Sequence, residues 1–261
     1  MTAENSIDIV ILGIGAIGPG FTNWPELQTI LKEGFPLADI KTQLPSPEIL
    51  PPAERRRASS IVKAGLNVGL EACKEAGLDP RELLTVFTSS GADGVNCEAI
   101  CEQLATDDRL ISPTRFHNSV HNTVAGYWGI ATGCMQPSQV ISAEDGSFAA
   151  GLLEAAIQAN HSGEPCLLVC YDTSYPGALN QVRPISDTAA IALIVAKPGE
   201  PKGKYPAIQM SLGNTENNEI RPVTIPTLHA LPLLNSITHG STDLVSICFQ
   251  DNCVLSTKIT P

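Results

Sequence analysis

The chain has 261 residues and a formal net charge of −11. Apolar residues make up 43% and charged residues 16%, a balance that fits a packed globular protein and excludes a disordered one. The acidity disfavours nucleic acid and anionic lipid, and no apolar run approaches the roughly 20 residues of a spanning helix.

This length suits one large α/β domain or two small ones. Met1 to Ile7 is polar and acidic rather than basic, so no leader is read and a cytoplasmic location is expected. Eight cysteines are present. Cys73 and Cys101 fall in amphipathic helical stretches, and Cys166 and Cys170 in an apolar strand, as small buried residues do. Cys97 and Cys101 share a helix face at i, i+4. No His or second Cys pair sits nearby at zinc spacing, so no metal is expected.

In chain order, Asp8 to Gly13 reads as a buried strand, β-branched and ending in glycines. Asn23 caps a helix through Leu31, with Pro25 in its first turn. A Pro-rich loop runs from Pro36 to Pro52. Arg55 to Gly77 has one helical period, closed by Gly77. Leu84 to Thr88 is a strand, Gly94 to Leu104 a helix, and Ile111 to Asn122 an extended loop rich in aromatic, His and Asn residues. His121 to Thr132 is a helix stopped by Gly133. Gln139 to Ser142 is a strand, and Gly146 to Asn160 a small-residue helix. Cys166 to Tyr171 and Ala189 to Ala196 are buried strands, and Tyr205 to Leu212 is a weaker one. The alternation predicts a mostly parallel sheet covered on both faces. The polar run Gly213 to Glu219 marks a place where the chain has been shortened.

Gly13, Gly15 and Gly18 spell G-x-G-x-x-G after a strand, the dinucleotide fingerprint. That chemistry needs a helix beginning inside the motif, its N-terminus aimed at the pyrophosphate. Here Pro19 and Gly20 follow at once, the helix starts near Asn23, and the acidic candidate Asp39 sits in a Pro-flanked loop. The glycines are read as a tight strand exit, and no cofactor is expected.

Four segments in order carry a family resemblance: VILGIGAIGP, ERRRASSIVKAGLNVGLEACKEAGLDP, SPTRFHNSVHNTVAGYWGIATG and VISAEDGSFAAGLLEAA. They resemble the opening strand and glycine turn, a long helix, the loop and helix before the nucleophile strand, and the nucleophile elbow of the β-ketoacyl synthase family. The resemblance is closest to the short ketosynthase-like proteins of aryl polyene biosynthesis, which are regarded as chain-length factors. It implies an α/β thiolase-like fold truncated in its second half. On that reading residues 1–200 are the ketosynthase N-terminal half and residues 201–261 a reduced C-terminal remnant of one thiolase-like domain.

In active members a Cys at the tip of the elbow takes up the acyl chain as a thioester. The match of Ser147, Gly151, Leu152 and Glu154 puts Asp145 at that position, and a one-residue slip puts Glu144 there. Neither is a cysteine, and none lies within ten residues. An aspartyl nucleophile would need an unstable anhydride. Asp145 is therefore read as a helix cap, its carboxylate taking backbone N–H groups. Related chain-length factors often carry Gln here. A buried carboxylate would repel a malonyl carboxylate, so decarboxylation is not expected.

Active members also carry two histidines in their second half, which stabilise the oxyanion and assist decarboxylation. None of His117, His121, His161, His229 and His239 falls in those motifs. SICFQDNCVLS resembles the closing hairpin, with Asn252 at its Asn and Ile247 near the Phe that gates the acyl pocket.

The resemblance implies a non-catalytic subunit that pairs as a heterodimer with a full-length β-ketoacyl synthase. An acyl carrier protein would dock mainly on that partner. Candidates for the interface or acyl pocket are Phe116, His117, Asn118, His121, Asn122, Ile141, Ser142 and Phe148, with no catalytic residue. Two rivals stay open. One is an independent acyl-thioester enzyme with Asp145 or His121 as base. The other is a structural homodimer.

Overall fold

A computed structural model of the protein describes residues 6–34, 36–37, 40–199, 205–214, 223–250 and 252–260. The chain runs β1 (Ile7–Ile17), α1 (Trp24–Glu33), α2 (Pro52–Arg57), α3 (Ser60–Ala76), β2 (Leu84–Thr88), α4 (Gly94–Leu104), α5 (Pro113–Ser119), α6 (Thr123–Thr132) and β3 (Ser138–Ile141). It continues through α7 (Ser147–Ser162), β4 (Cys166–Asp172), α8 (Gly177–Val182), β5 (Ala189–Ala196), β6 (Ala207–Asn214), α9 (Leu231–His239), β7 (Leu244–Gln250) and β8 (Cys253–Thr260).

The strands form one sheet in the order β3-β2-β4-β5-β1-β6-β8-β7. β2 pairs in parallel with β3 and β4. The other five pairings are antiparallel, which corrects the expectation of a mostly parallel sheet. The reason is local: the connection from β4 to β5 holds only the short α8 and β5 returns antiparallel beside β4, while β7 and β8 form a hairpin whose second strand pairs with β6. Both faces are covered, as expected. Trp24 and Leu27 of α1, Phe148 and Leu152 of α7, and Leu233 and Leu234 of α9 fill one core. Ile61 and Leu66 of α3 and Tyr127 and Trp128 of α6 fill the other.

β1 serves both cores by alternation, with Ile9 and Ile11 on the α7 side and Val10 and Leu12 on the α3 side. A register shift between Ile11 and Gly13 resets that alternation, so Ile14 again faces α7. The strand then continues to Ile17, so the reading of the glycines as a strand exit holds for Gly18, which bridges to Phe21 in the turn after the strand, and not for Gly13 and Gly15. The role of those two is close approach to α3. A Cβ on Gly15 would lie 2.0 Å from the Val68 carbonyl oxygen, and one on Gly13 would lie 2.3 Å from that of Ala72. Asp39 lies outside the described residues, as does most of the polar run, residues 215–219.

Asn23 caps α1 by accepting from the Glu26 N–H at 2.9 Å, and Gly77 ends α3 in the left-handed region. The single helix expected from Arg55 to Gly77 is two, because Ala58 turns extended. The Arg57 carbonyl freed at that break accepts from Asn118 Nδ2 at 2.8 Å. The extended loop expected at Ile111 to Asn122 also holds a helix. Ser112 Oγ accepts from the Arg115 N–H and Pro113 occupies the first turn, a start signal whose output is too short to show a period. α8 and α9 were likewise not read from the sequence. The second half of the fold is reduced, among the described residues, to β6, α9 and the β7–β8 hairpin.

Candidate functional site

The elbow is built from the end of β3, a 3₁₀ turn over Glu144–Gly146, and the start of α7. Glu144 stands at the tip with a φ of 47°, in the left-handed region that costs a residue bearing a Cβ of order 1–3 kcal/mol. Ser147 holds the turn from inside: its Oγ accepts from the Ala143 N–H at 3.0 Å and donates to the Glu144 carbonyl at 2.7 Å. Thr88 Oγ1 donates to the Ser147 carbonyl at 2.8 Å, tying the turn to β2. Gly146 lies under β7, where a Cβ would come within 1.7 Å of the Phe249 carbonyl oxygen. The closing hairpin therefore seats directly on the elbow, and Phe249 is its contact.

Asp145 does not cap α7. Its carboxylate accepts from Arg183 Nη2 at 2.7 Å, and its side chain is 57% exposed. The physical reason is the 3₁₀ turn, which places Asp145 inside a helical turn rather than in front of one, while Ser147 takes the local backbone N–H. The premise of a buried carboxylate fails with it.

A histidine missed in the sequence enters here. His229 is buried in a second 3₁₀ turn, Pro226–Ala230. Burial pushes its imidazole below the ordinary value, and the charge of Asp145 pulls it partly back. The signal that would have found it is spatial. Its turn is fastened to the sheet by Asp172 at the end of β4, whose buried carboxylate accepts from the Thr227 N–H at 2.8 Å and from Thr227 Oγ1 at 2.6 Å. The other oxygen accepts from the Ser90 N–H at 2.9 Å and from Ser90 Oγ at 2.6 Å. Burial raises the pKa of Asp172 and these bonds oppose it.

The other candidates separate. Ser142 Oγ donates to the Ser89 carbonyl at 2.9 Å beside the elbow. Ile141 packs at the core margin, and Phe148 lies inside the core itself, 1% exposed. Phe116, His117 and Asn118 belong to α5, and His121 and Asn122 to the turn that leads into α6, on the α3 side of the sheet and not at the elbow. His117 lies edge-on to Tyr127 at 5.7 Å between ring centroids, and its Nδ1 is 3.2 Å from Asn118 Oδ1. Asn118 is buried and serves the α2 end; Tyr127 Oη donates to its Oδ1 at 3.4 Å. His121 Nε2 is enclosed without a hydrogen-bond partner. Asn122 is exposed and makes no capping bond to α6, while Phe116 is 61% exposed.

None of the thiols stands on the elbow. Burial pushes Cys73 and Cys166 up to about 12 and Cys170 well above the ordinary thiol value, which leaves them as inert core residues.

The family model for the β-ketoacyl synthase N-terminal domain matches residues 28–243, most of the chain and the whole of the elbow. The chain belongs to the β-ketoacyl synthase family. No curated protein matches the sequence. The structure of the ketosynthase ApeO in complex with its chain length factor ApeC, from Xenorhabdus doucetiae, is similar with a TM-score of 0.73 and 23% identity. That match covers 97% of this chain and 99% of the other. The ishigamide ketosynthase/chain length factor gives a TM-score of 0.70 at 12% identity, over 97% of this chain and 99% of that one. A β-ketoacyl synthase from Burkholderia phymatum STM815 gives 0.60 at 11% identity, over 90% of this chain and 71% of that one. The fold is thus the thiolase-like α/β fold of ketosynthases, with a reduced second half.

Proposed function

We propose that this chain is a non-catalytic, chain-length-factor-type subunit that pairs one-to-one with an active β-ketoacyl synthase in the cytoplasm. The observation that carries this reading is the elbow. The turn and its helix keep the shape that presents a nucleophile, with a left-handed tip at Glu144, but the two tip positions hold carboxylates and one of them is closed by Arg183. A carboxylate in place of the thiolate offers no route to a thioester. The likeness to ketosynthase and chain length factor complexes supports the pairing, and an aryl-polyene-type pathway is the one whose short subunits this chain resembles in size. Residues 1–200 then form the ketosynthase N-terminal half and residues 201–261 the remnant that seats Phe249 on the elbow. The acyl carrier protein docks mainly on the catalytic partner.

Two measurements test the reading. Incubated alone with an acyl donor, the purified chain stays at its unmodified mass by intact-protein mass spectrometry; a stable acyl adduct would sink the proposal. Co-expressed with the ketosynthase of its own pathway, it co-purifies in one-to-one ratio, and a homodimer in its place would favour the structural alternative.

A further inference from the structure

Glu144 and Asp145 compete for the tip of the elbow, and their surroundings separate them. Glu144 has a φ of 47°, the positive value within the elbow. Asp145 lies one step on, inside the 3₁₀ turn. A strained residue on a sharp strand-to-helix turn is the device that holds a nucleophile out into the open. Glu144 is exposed, and among the described residues its carboxylate makes no ion pair and no hydrogen bond. The Asp145 carboxylate is held by Arg183 at 2.7 Å.

The left-handed conformation is imposed by the turn and not by the side chain that adopts it. The Glu144 carbonyl accepts from the Ser147 N–H and from Ser147 Oγ. Gly146 is pinned beneath the Phe249 carbonyl. The free carboxylate of Glu144 adds nothing that offsets the strain. The turn is therefore shaped to present a side chain at position 144, whatever that side chain is. It stands ahead of α7, a helix of 16 residues, whose positive end favours an anionic group such as a thiolate. The neighbouring charge of Asp145 is offset by Arg183.

We infer that Glu144 alone occupies the seat of the nucleophile, and that the seat is otherwise intact: a thiol in place of this one carboxylate accepts an acyl group from a thioester. The thiolate sulfur adds to the thioester carbonyl carbon, and the bond from that carbon to the donor sulfur breaks. The donor leaves as a thiolate and takes up the proton lost by the cysteine. Asp145, tied to Arg183, is a bystander. The inference rests on the reading of the elbow given above and does not depend on pairing with a ketosynthase.

Glu144→Cys and Asp145→Cys chains, each incubated with octanoyl-CoA and followed by peptide mapping, test this. Cys101, an exposed thiol of α4, is the reference within each molecule. Residue 144 of Glu144→Cys is acylated roughly tenfold or more faster than Cys101, as an activated thiol is. It is also acylated faster than residue 145 of Asp145→Cys. Cooperative unfolding of both variants confirms that they are folded. Stability is a second readout: Glu144→Gly raises the unfolding midpoint by about 2–4 °C, because glycine enters the left-handed region freely, and Asp145→Gly does not raise it. Acylation at residue 144 no faster than at Cys101, or slower than at residue 145, overturns the inference, as does a Glu144→Gly midpoint at or below wild type. Failure here leaves the wild-type chain inert and its pairing untouched, whereas an acyl adduct on the wild-type chain overturns the proposed function instead.

Discussion

At the scale of residues, the elbow turns on how Asp145, Glu144 and His229 share a small space. Asp145 is exposed and held by Arg183, and exposed pairs contribute about 0–1 kcal/mol. Asp145→Ala should therefore cost less than about 1 kcal/mol by chemical denaturation; a loss of about 2 kcal/mol would restore the capping role. His229 gives the opposite sensitivity. Its folded pKa lies below the ordinary 6.5, so the unfolded chain takes up the proton first as pH falls. The stability it contributes is present above pH 6.5 and is lost as the pH drops through the folded value. The unfolding midpoint should thus fall between about pH 7 and 5 more steeply in the wild type than in His229→Gln. Asp145→Asn, which removes the charge that supports the imidazolium, should steepen it further. Superimposable pH profiles for all three chains would show that Asp145 and His229 do not communicate. Asp145 and Glu144 were both named as tip residues from the sequence, but the left-handed φ that singles out Glu144 is a property of the folded turn. His229 was passed over because its neighbour in space, Asp145, lies far from it in sequence.

At the scale of elements, β3 is the strand on which the proposed pairing rests. It is the edge of the sheet, and only one of its sides is used by β2. The Thr85 N–H donates to the Pro137 carbonyl at 3.1 Å and the Ser89 N–H to the Ile141 carbonyl at 3.4 Å. Backbone groups alternate along a strand, so those of Ser138 and Val140 point away from β2. Such an open row is an invitation to a second strand. Val140→Pro should remove one outward donor while sparing the internal ladder, since proline is tolerated on an edge. The variant chain is expected to fold but to lose the ketosynthase on size exclusion. Co-elution at full yield would move the interface elsewhere. Ile141→Lys is a poorer probe, because Ile141 packs against the chain's own core and a charge there threatens the fold itself. β2, α4 and β5 were read from the sequence with their observed limits, because their apolar periods and stop signals are complete within each segment. The α2–α3 break was not, because the periodicity passes through Ala58 without interruption and only the tertiary partner Asn118 makes the break tolerable.

For the whole molecule, the apolar side chains left outside are informative. Phe116, Ile130 and Met135 are exposed in the segments that precede β3 in the chain, and exposed apolar side chains that form a patch mark contact surfaces. Binding of a partner stabilises the folded state by mass action, by about 2.7 kcal/mol at a hundred times Kd. The unfolding midpoint of this chain should accordingly rise with added ketosynthase in a concentration-dependent way, and the chain alone should self-associate. A midpoint that does not respond to the partner would argue that the subunit is complete by itself.

The sequence alone determined the alternation of apolar strands and helices, the caps at Asn23, Gly77 and Gly133, and the absence of a thiol from the elbow. These are local facts, written in residue type and spacing. The tertiary structure decided the rest: the direction of β5, the seating of Phe249 on Gly146, the pairing of Asp145 with Arg183, and the arrival of His229. Each of these depends on which segments meet across the sheet. That meeting is fixed by the fit of whole faces, such as glycine-bearing β1 against α3, and no single segment carries it.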